Sequence, residues 1–133
     1  MTSNHNPSDT LPDNRALIIM AHGSRRDSAN TEFFELVKNI DQQSRSYGCI
    51  RPALLEQAPP TLLQAAEELP ASITAIDVYP LFFNCGRHVE KDIPQQVSEL
   101  IERYPSKTIR LLDYFGQSEQ LAGLILNHVA QQQ

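Results

Sequence analysis

The sequence has little of several features that mark specialised classes of protein. It contains no tryptophan, two cysteines and five glycines among 133 residues. Two cysteines do not make the disulfide framework of a small secreted domain, and they indicate a reducing compartment. No apolar run approaches the roughly 18 residues that span a membrane, and the first residues lack a cationic start followed by an apolar stretch. We therefore expect a cytoplasmic protein without signal peptide or membrane span.

Positive charge is also scarce. The chain has 11 lysines and arginines against 16 aspartates and glutamates, a formal net charge of -5. Such an acidic balance argues against general binding to nucleic acid. The composition, 41% hydrophobic and 20% charged, is that of a globular protein with a single core. We expect one domain over residues 15–130, with a mobile polar tail at 1–14 and a short tail at 131–133.

Short apolar runs alternate with amphipathic segments along this domain. The predicted strands are "ALIIMA" (16–21), "CIRPALLE" (49–56), "ITAIDVYPLFF" (73–83) and "KTIRLLDYF" (107–115). Strict alternation of strand and helix predicts an α/β fold with a four-stranded parallel sheet and helices on both faces. Because proline cannot donate a ladder hydrogen bond, Pro52 favours an edge position for the second strand.

The helical spacing predicts a helix between successive strands and one after the last strand. The third helix is expected to open at Pro94, and the fourth to cover 118–130. The side chains of the fourth helix expected to face the core are Leu121, Leu124, Ile125 and Val129, with His128 packed beside them.

Histidine and carboxylate side chains follow the predicted strands. His22 follows the first strand, Glu56 ends the second, and His88 lies in the loop after the third. With strand order 2-1-3-4, the first and third strands are neighbours and the two histidines face each other where ligands bind in such sheets. Two neutral imidazoles with a carboxylate suit a divalent first-row metal, or proton transfer near neutral pH.

Positive side chains surround the two histidines. They are Arg25, Arg26, Arg87 and Lys91. In an acidic chain, this local concentration of cations indicates a polyanionic substrate. Gly23 and Gly86 let the backbone approach a flat ligand closely. Taken singly, a histidine at a strand end is more often a hydrogen-bonded structural residue than a ligand, and a loop cation is by default a solvated charge.

Two further residues near His88 have open roles. Asp92 is predicted either to cap the third helix or to accept a hydrogen bond that orients the imidazole. Cys85 has no second soft ligand at metal-site spacing, so it is expected to be neither nucleophile nor ligand.

Four segments carry a family resemblance. They are "LIIMAHGSRRDSANTEF", "LLEQAPPTLLQAAEEL", "VYPLFFNCGRHVEKDIP" and "LLDYFGQSEQLAGLIL". In this order they resemble the four successive motifs of the small CbiX-type sirohydrochlorin chelatases of the class II chelatase superfamily. The resemblance covers about residues 15 to 130. Its specificity comes from "HGSR" after the first strand joined at the right separation to "G-x-H-x-x-x-D-I-P" after the third.

The resemblance implies a flavodoxin-like half of a two-lobed chelatase, so that two copies are expected to form a homodimer around the macrocycle. Such enzymes insert cobalt or iron into sirohydrochlorin on the way to cobalamin or sirohaem. The resemblance makes His22 and His88 the metal-binding and catalytic residues, with Glu56 as a further metal ligand. It adds Ser24 of "HGSR" to the glycines and cations as a substrate-binding residue. No cofactor is expected beyond the substrate metal, for which nickel is a further option.

Two other functions stay open. One is a metal-binding or metal-delivery protein of the same fold without turnover. The other is a histidine phosphatase, a class that also places "HG" after a first strand. In those enzymes an arginine precedes the histidine, whereas Ala21 stands there in this chain. The missing "RHG" argues against a phosphatase.

Overall fold

A computed structural model describes residues 14–84 and 86–133, apart from the side chain of His88. The strands are β1 (Arg15–Ala21), β2 (Cys49–Leu54), β3 (Ala75–Pro80) and β4 (Thr108–Leu111). The α-helices are α1 (Asp27–Gln43), α2 (Leu62–Glu67), α3 (Arg87–Arg103) and α4 (Leu121–Ala130). A 3-10 turn, Phe115–Gln117, precedes α4. Apart from Asn14, the tail predicted over 1–14 lies outside the described residues.

The four strands form one parallel sheet in the order β2-β1-β3-β4. This confirms the predicted fold class, and Pro52 lies on an edge strand as expected. In the centre, Ile18 of β1 pairs with Arg51 of β2 and with Val78 of β3. β1 and β3 occupy the interior because both are near-continuous apolar runs that can be buried on both faces.

Helices cover both faces of the sheet, because alternate side chains of each strand point to opposite faces. On one face, α2 and α3 bury Ile18, Met20 and Val78 in the larger core cluster. On the other face, α1 packs Val37 against Ile19 and Ile50. In the part of the chain that the structure describes, none of the helices combines the length and apolar character needed to cross a membrane.

Helix α3 begins at Arg87, so the prediction that it opens at Pro94 is wrong. Gly86 is its N-cap, and Pro94 lies inside the helix. A proline in a helix interior costs about 3 kcal/mol, because it removes one backbone hydrogen bond. The earlier turns bury Val89 and Ile93, and each such side chain stabilises the fold by about 1.5–3 kcal/mol. Burial of both therefore offsets the proline.

Helix α4 also differs from its prediction. Leu124, Ile125 and Val129 are 56%, 51% and 48% exposed, and His128 is exposed rather than packed. The apolar side chains recur at helical spacing, but α4 does not bury them against the sheet of its own chain. The preceding turn is held at the sheet edge, where the Gly116 N–H donates to the Phe82 carbonyl at 2.8 Å.

The buried carboxylate of Asp77 on β3 joins this strand to β4 and to the loop between α1 and β2. Asp77, 2% exposed, accepts two hydrogen bonds from Arg110 at 2.8 and 2.9 Å and one from the Tyr47 hydroxyl at 2.6 Å. Arg15 lies 3.9 Å away. Burial alone would raise the pKa of Asp77, but the hydrogen bonds from Arg110 and Tyr47 outweigh it and lower that pKa. Burial and the bond to Asp77 raise the pKa of Tyr47 to about 12.

The Asp77→Asn variant should lose about 1–3 kcal/mol of unfolding free energy at neutral pH, because charge-assisted hydrogen bonds are replaced by weaker ones. Since the folded pKa of Asp77 is lowered, its contribution is complete above the unfolded carboxyl pKa of about 3.9 and is lost as pH falls through the folded value. Urea unfolding across pH measures this, with the exposed Asp113→Asn as control. A gap between wild type and Asp77→Asn that widens in acid would contradict this account.

Candidate functional site

The carboxyl ends of β1 and β2 bring a histidine and a glutamate into contact. His22 directly follows β1, and Glu56 lies two residues beyond β2. The His22 Nε2 and Glu56 Oε2 atoms are 3.0 Å apart, and the two side chains are 52% and 37% exposed. A hydrogen-bonded imidazole and carboxylate are therefore both open to a ligand at the sheet edge where the sequence predicts one.

The ring of His22 is also supported from the core side. Its centroid lies 6.1 Å from that of Phe82, with the ring planes tilted by 44°. Phe82 is 9% exposed and belongs to the larger core cluster. Because that ring is fixed by packing, it limits the positions available to the imidazole.

Gly23 allows the loop after β1 to lie directly against the loop after β2. Its φ is +94°, and a Cβ on it would collide with the carbonyl oxygen of Glu56. In the same contact between the two loops, the Glu56 N–H donates to the His22 carbonyl at 3.1 Å. The position of Glu56 beside His22 thus depends on a residue without a side chain.

Asn30 is a site-supporting residue that the sequence did not single out for this role. It is 6% exposed, its Oδ1 accepts from the Ser24 N–H at 3.0 Å, and its Nδ2 donates to the Ser24 carbonyl at 2.8 Å. One buried amide therefore fixes the "HGSR" loop onto α1. The sequence contains a signal for its burial, because Asn30 lies on the same helical stripe as Phe33 and Val37.

The predicted cations are all exposed. Arg25 donates from Nε to Gln57 Oε1 at 3.3 Å, which holds it beside the Glu56 loop. Arg26 is the residue before the first turn of α1. Arg87 and Lys91 lie in the first two turns of α3, on helix rather than loop. Their role in holding a polyanion stays a prediction.

The positive end of the α3 dipole points to the same edge of the sheet, since α3 follows β3. His88 belongs to the first turn of α3, but its side chain lies outside the described residues, and so does Cys85. The predicted facing of His22 and His88 therefore stays a prediction. Within residues 14–84 and 86–133, no three histidine, cysteine or acidic side chains group as a metal site.

Two residues of the "GRHVEKDIP" motif can be placed more closely. Asp92 does not cap α3, since Gly86 is the N-cap. It lines a shallow depression together with Glu56, so a role in orienting the site remains its prediction. Gly86 has an ordinary φ of -75°, and a Cβ there would meet nothing within 4 Å. The fold itself therefore does not require glycine at position 86.

An aromatic pair, the exposed Phe83 and the half-buried Phe115, lies at the same edge. Phe83 is 70% exposed, and its ring contacts that of Phe115 edge-on, with centroids 5.6 Å apart. Gly116 lies so close to the Phe83 carbonyl that any Cβ would collide with it. The close contact with Gly116 therefore fixes the backbone position of Phe83.

The CbiX family model matches residues 16–132, which include all four strands apart from Arg15, and the His22–Glu56 pair. The chain belongs to the CbiX family. This confirms the resemblance carried by the four sequence motifs.

Curated relatives of this CbiX chain are named as chelatases. It is 27% identical over 119 residues to the sirohydrochlorin ferrochelatase of Priestia megaterium, covering 86% of this chain and 43% of the relative. It is 28% identical over 81 residues to the sirohydrochlorin cobaltochelatase of Methanococcus maripaludis, covering 60% of this chain and 56% of the relative. The chain thus spans about half the length of these relatives.

A solved structure of nearly the same size shares the fold. The CbiX protein of Marinobacter aquaeolei VT8 is 26% identical and superposes with a TM-score of 0.76. The match covers 89% of this chain and 96% of the other. The four-stranded sheet with its helices is thus also the fold of a CbiX protein of about this length.

Gly23→Ala should destabilise the chain and separate His22 from Glu56, because the added Cβ collides with a backbone carbonyl and the φ of +94° disfavours L residues. We expect a loss of about 1–3 kcal/mol. Gly123→Ala is the matched control, since a Cβ there meets nothing within 4 Å. Thermal unfolding of both variants measures the difference. Equal melting temperatures would contradict the proposed contact.

Proposed function

We propose that this chain is a sirohydrochlorin chelatase that inserts cobalt or iron into the tetrapyrrole. The observation that carries the proposal is the His22–Glu56 pair, which is open at the carboxyl ends of β1 and β2 in a CbiX-family sheet. The relatives named as ferrochelatase and cobaltochelatase support both the reaction class and the choice of metals. His22 and His88 are the proposed catalytic residues, and Glu56 is a proposed third metal ligand.

The distance within the pair suits the substrate metal. Histidine nitrogen and carboxylate oxygen bind divalent metals at about 2.0–2.2 Å, so two neighbouring ligands of one ion lie about 3.0–3.4 Å apart. The observed 3.0 Å between His22 Nε2 and Glu56 Oε2 falls at this separation without rearrangement. An arriving ion would displace the proton that the two atoms share.

The same pair can accept protons from the macrocycle. Insertion of a divalent metal releases two pyrrole N–H protons, so the net charge of the ring and metal core is conserved. A carboxylate can only accept a hydrogen bond, so with Glu56 ionised the neutral imidazole carries its proton on Nε2. Nδ1 of His22 then keeps its lone pair as a base. Glu56 thus selects the tautomer.

The surrounding groups match the two parts of the substrate. Sirohydrochlorin has many carboxylates on its rim, and we propose that the four exposed cations bind them. Ser24 and Gly86 leave room for the ring, whereas the missing side chain of Gly23 makes room for the Glu56 carbonyl. The flat ring itself needs an apolar support. Phe83 offers one, since its ring is largely exposed at this edge.

We infer further that two copies form the working enzyme and that it acts in the cytoplasm. The chain forms a single four-stranded lobe, whereas it covers only 43% of the Priestia megaterium ferrochelatase. This ratio supports a homodimer that supplies two lobes around one macrocycle. The low cysteine content supports a reducing compartment.

The deciding experiment follows the absorbance of anaerobic sirohydrochlorin with cobalt(II) or iron(II). Wild type should accelerate insertion, and His22→Ala and His88→Ala should each slow it by about 100-fold or more, because each removes a base or ligand. Glu56→Gln should slow it less, since the amide still positions the imidazole. Glu102→Gln, an exposed substitution on α3, is the control.

Unchanged insertion rates in both histidine variants would refute the assigned roles. Metal binding without accelerated insertion would favour a metal-delivery protein. Turnover of a phosphomonoester that vanishes in His22→Ala would favour the phosphatase. Insertion rates with several metals would identify the preferred one among cobalt, iron and nickel.

Phe83→Ala should raise the KM for sirohydrochlorin about tenfold with little change in kcat, because a stacked aromatic contributes about 0.5–1.5 kcal/mol beyond its buried area. The KM for the metal should not change, and Phe83→Tyr should restore the KM for the macrocycle. A change confined to the metal dependence would show that Phe83 does not support the ring.

A further inference from the structure

Gln57 directly follows Glu56, and its backbone is strained. Its φ is +80°, and among the residues that the structure describes it is the only one other than glycine with a positive φ. Glycine adopts this left-handed region freely, whereas a side chain there clashes with the backbone. Such strain persists where the surrounding structure fixes the backbone, and it occurs most often at ligand sites. We therefore expect the Gln57 side chain to have a role that offsets the strain.

The loop around Gln57 is fixed by its backbone. The Glu56 N–H donates to the His22 carbonyl at 3.1 Å, and the Leu54 N–H donates to the Pro60 carbonyl at 2.8 Å. Neither bond uses the Gln57 side chain, which is exposed. A glycine at this position would satisfy the same bonds with less strain. The reason for a glutamine must therefore lie in what its side chain contacts.

The Gln57 side chain reaches the loop that follows β1. Its Oε1 accepts a hydrogen bond from Nε of Arg25 at 3.3 Å. The backbone around Arg25 is already fixed, because the Arg26 N–H donates to the Ser24 Oγ at 3.0 Å. The guanidinium, however, stands at the end of a long, exposed side chain with many rotamers. Gln57 supports it from the opposite loop.

This contact leaves the carboxylate-binding side of Arg25 available. A guanidinium has five N–H donors, and the one on Nε is directed to Gln57. The other four are on the two Nη atoms, and a carboxylate can accept two parallel bonds from such a fork. An amide oxygen also accepts the Nε bond without adding a negative charge. Gln57 thus orients Arg25 and does not neutralise it.

We propose that Gln57 is a positioning residue, which holds the Arg25 guanidinium so that its Nη atoms bind a carboxylate on the rim of the macrocycle. This rests on the proposed function and adds a residue to it. A guanidinium that is already held loses less side-chain freedom when the substrate binds, so binding is tighter. Because Gln57 directly follows Glu56, one loop carries both a proposed metal ligand and the support of a proposed rim contact.

Titration of metal-free sirohydrochlorin, followed by its absorbance, tests the role of Gln57. Gln57→Gly should raise the Kd about three- to tenfold, because the guanidinium loses its support. Its melting temperature should equal that of wild type or rise by about 2–4 °C, because glycine relieves the positive φ. Weaker binding without a loss of stability distinguishes a positioning residue from a structural one.

Two further comparisons isolate the contact with Arg25. In an Arg25→Ala background, Gln57→Gly should change the Kd by less than about twofold, because the group that Gln57 positions is gone. Gln57→Glu keeps the contact but adds a negative charge beside the guanidinium. Its Kd should exceed that of wild type at low salt, and the difference should shrink as salt screens the charges. Gln42→Ala, an exposed substitution near the end of α1, is the control and should bind as wild type does.

A Gln57→Gly variant that binds as wild type does would overturn the proposal, and so would a loss of affinity that persists in the Arg25→Ala background. A melting temperature below that of wild type would assign the Gln57 side chain to stability instead. The titration needs no turnover. Wild type that binds sirohydrochlorin without inserting metal would therefore refute the chelatase function and leave the comparison of Kd values intact, whereas wild type that does not bind it would overturn both.

Discussion

The site depends on the pairing of β1 with both of its neighbours. Because β1 is parallel to β2 on one side and to β3 on the other, three strand ends and the loops that follow them meet at one edge. The pairing continues beyond the strands, where the Glu56 N–H reaches the His22 carbonyl. The imidazole and the carboxylate, 34 positions apart in the sequence, are thus brought together by the same hydrogen bonds that hold the sheet.

Local patterns in the sequence were sufficient to predict this edge. Apolar runs separated by helical spacing lead to a parallel sheet, Pro52 indicates an edge strand, and the ligand-binding edge follows from the sheet. The prediction that His22 and Glu56 share a site needed only their position at strand ends. The geometry of the pair needed more, since it rests on Gly23 and Asn30, whose contacts join segments distant in sequence.

Predictions from local sequence signals were wrong where the burial of apolar side chains opposed them. Pro94 is a sound signal for the first turn of a helix, but the two turns before it bury Val89 and Ile93, and that apolar gain outweighs one lost hydrogen bond. As a result Asp92 lies on a helix instead of capping it. Helix propensity alone could not decide where α3 begins, because the outcome depends on how much apolar side chain its first turns bury.

Helix α4 shows a different limit. Its apolar spacing predicted side chains buried against the sheet, and this prediction is wrong, because such a pattern reports only a tendency to exclude water and not which surface does so. A helix that packs on its own sheet and one that packs on a second copy have the same sequence signature. In this fold Leu124 and Leu126 stay largely exposed. The apolar spacing therefore could not decide where α4 lies relative to its own sheet.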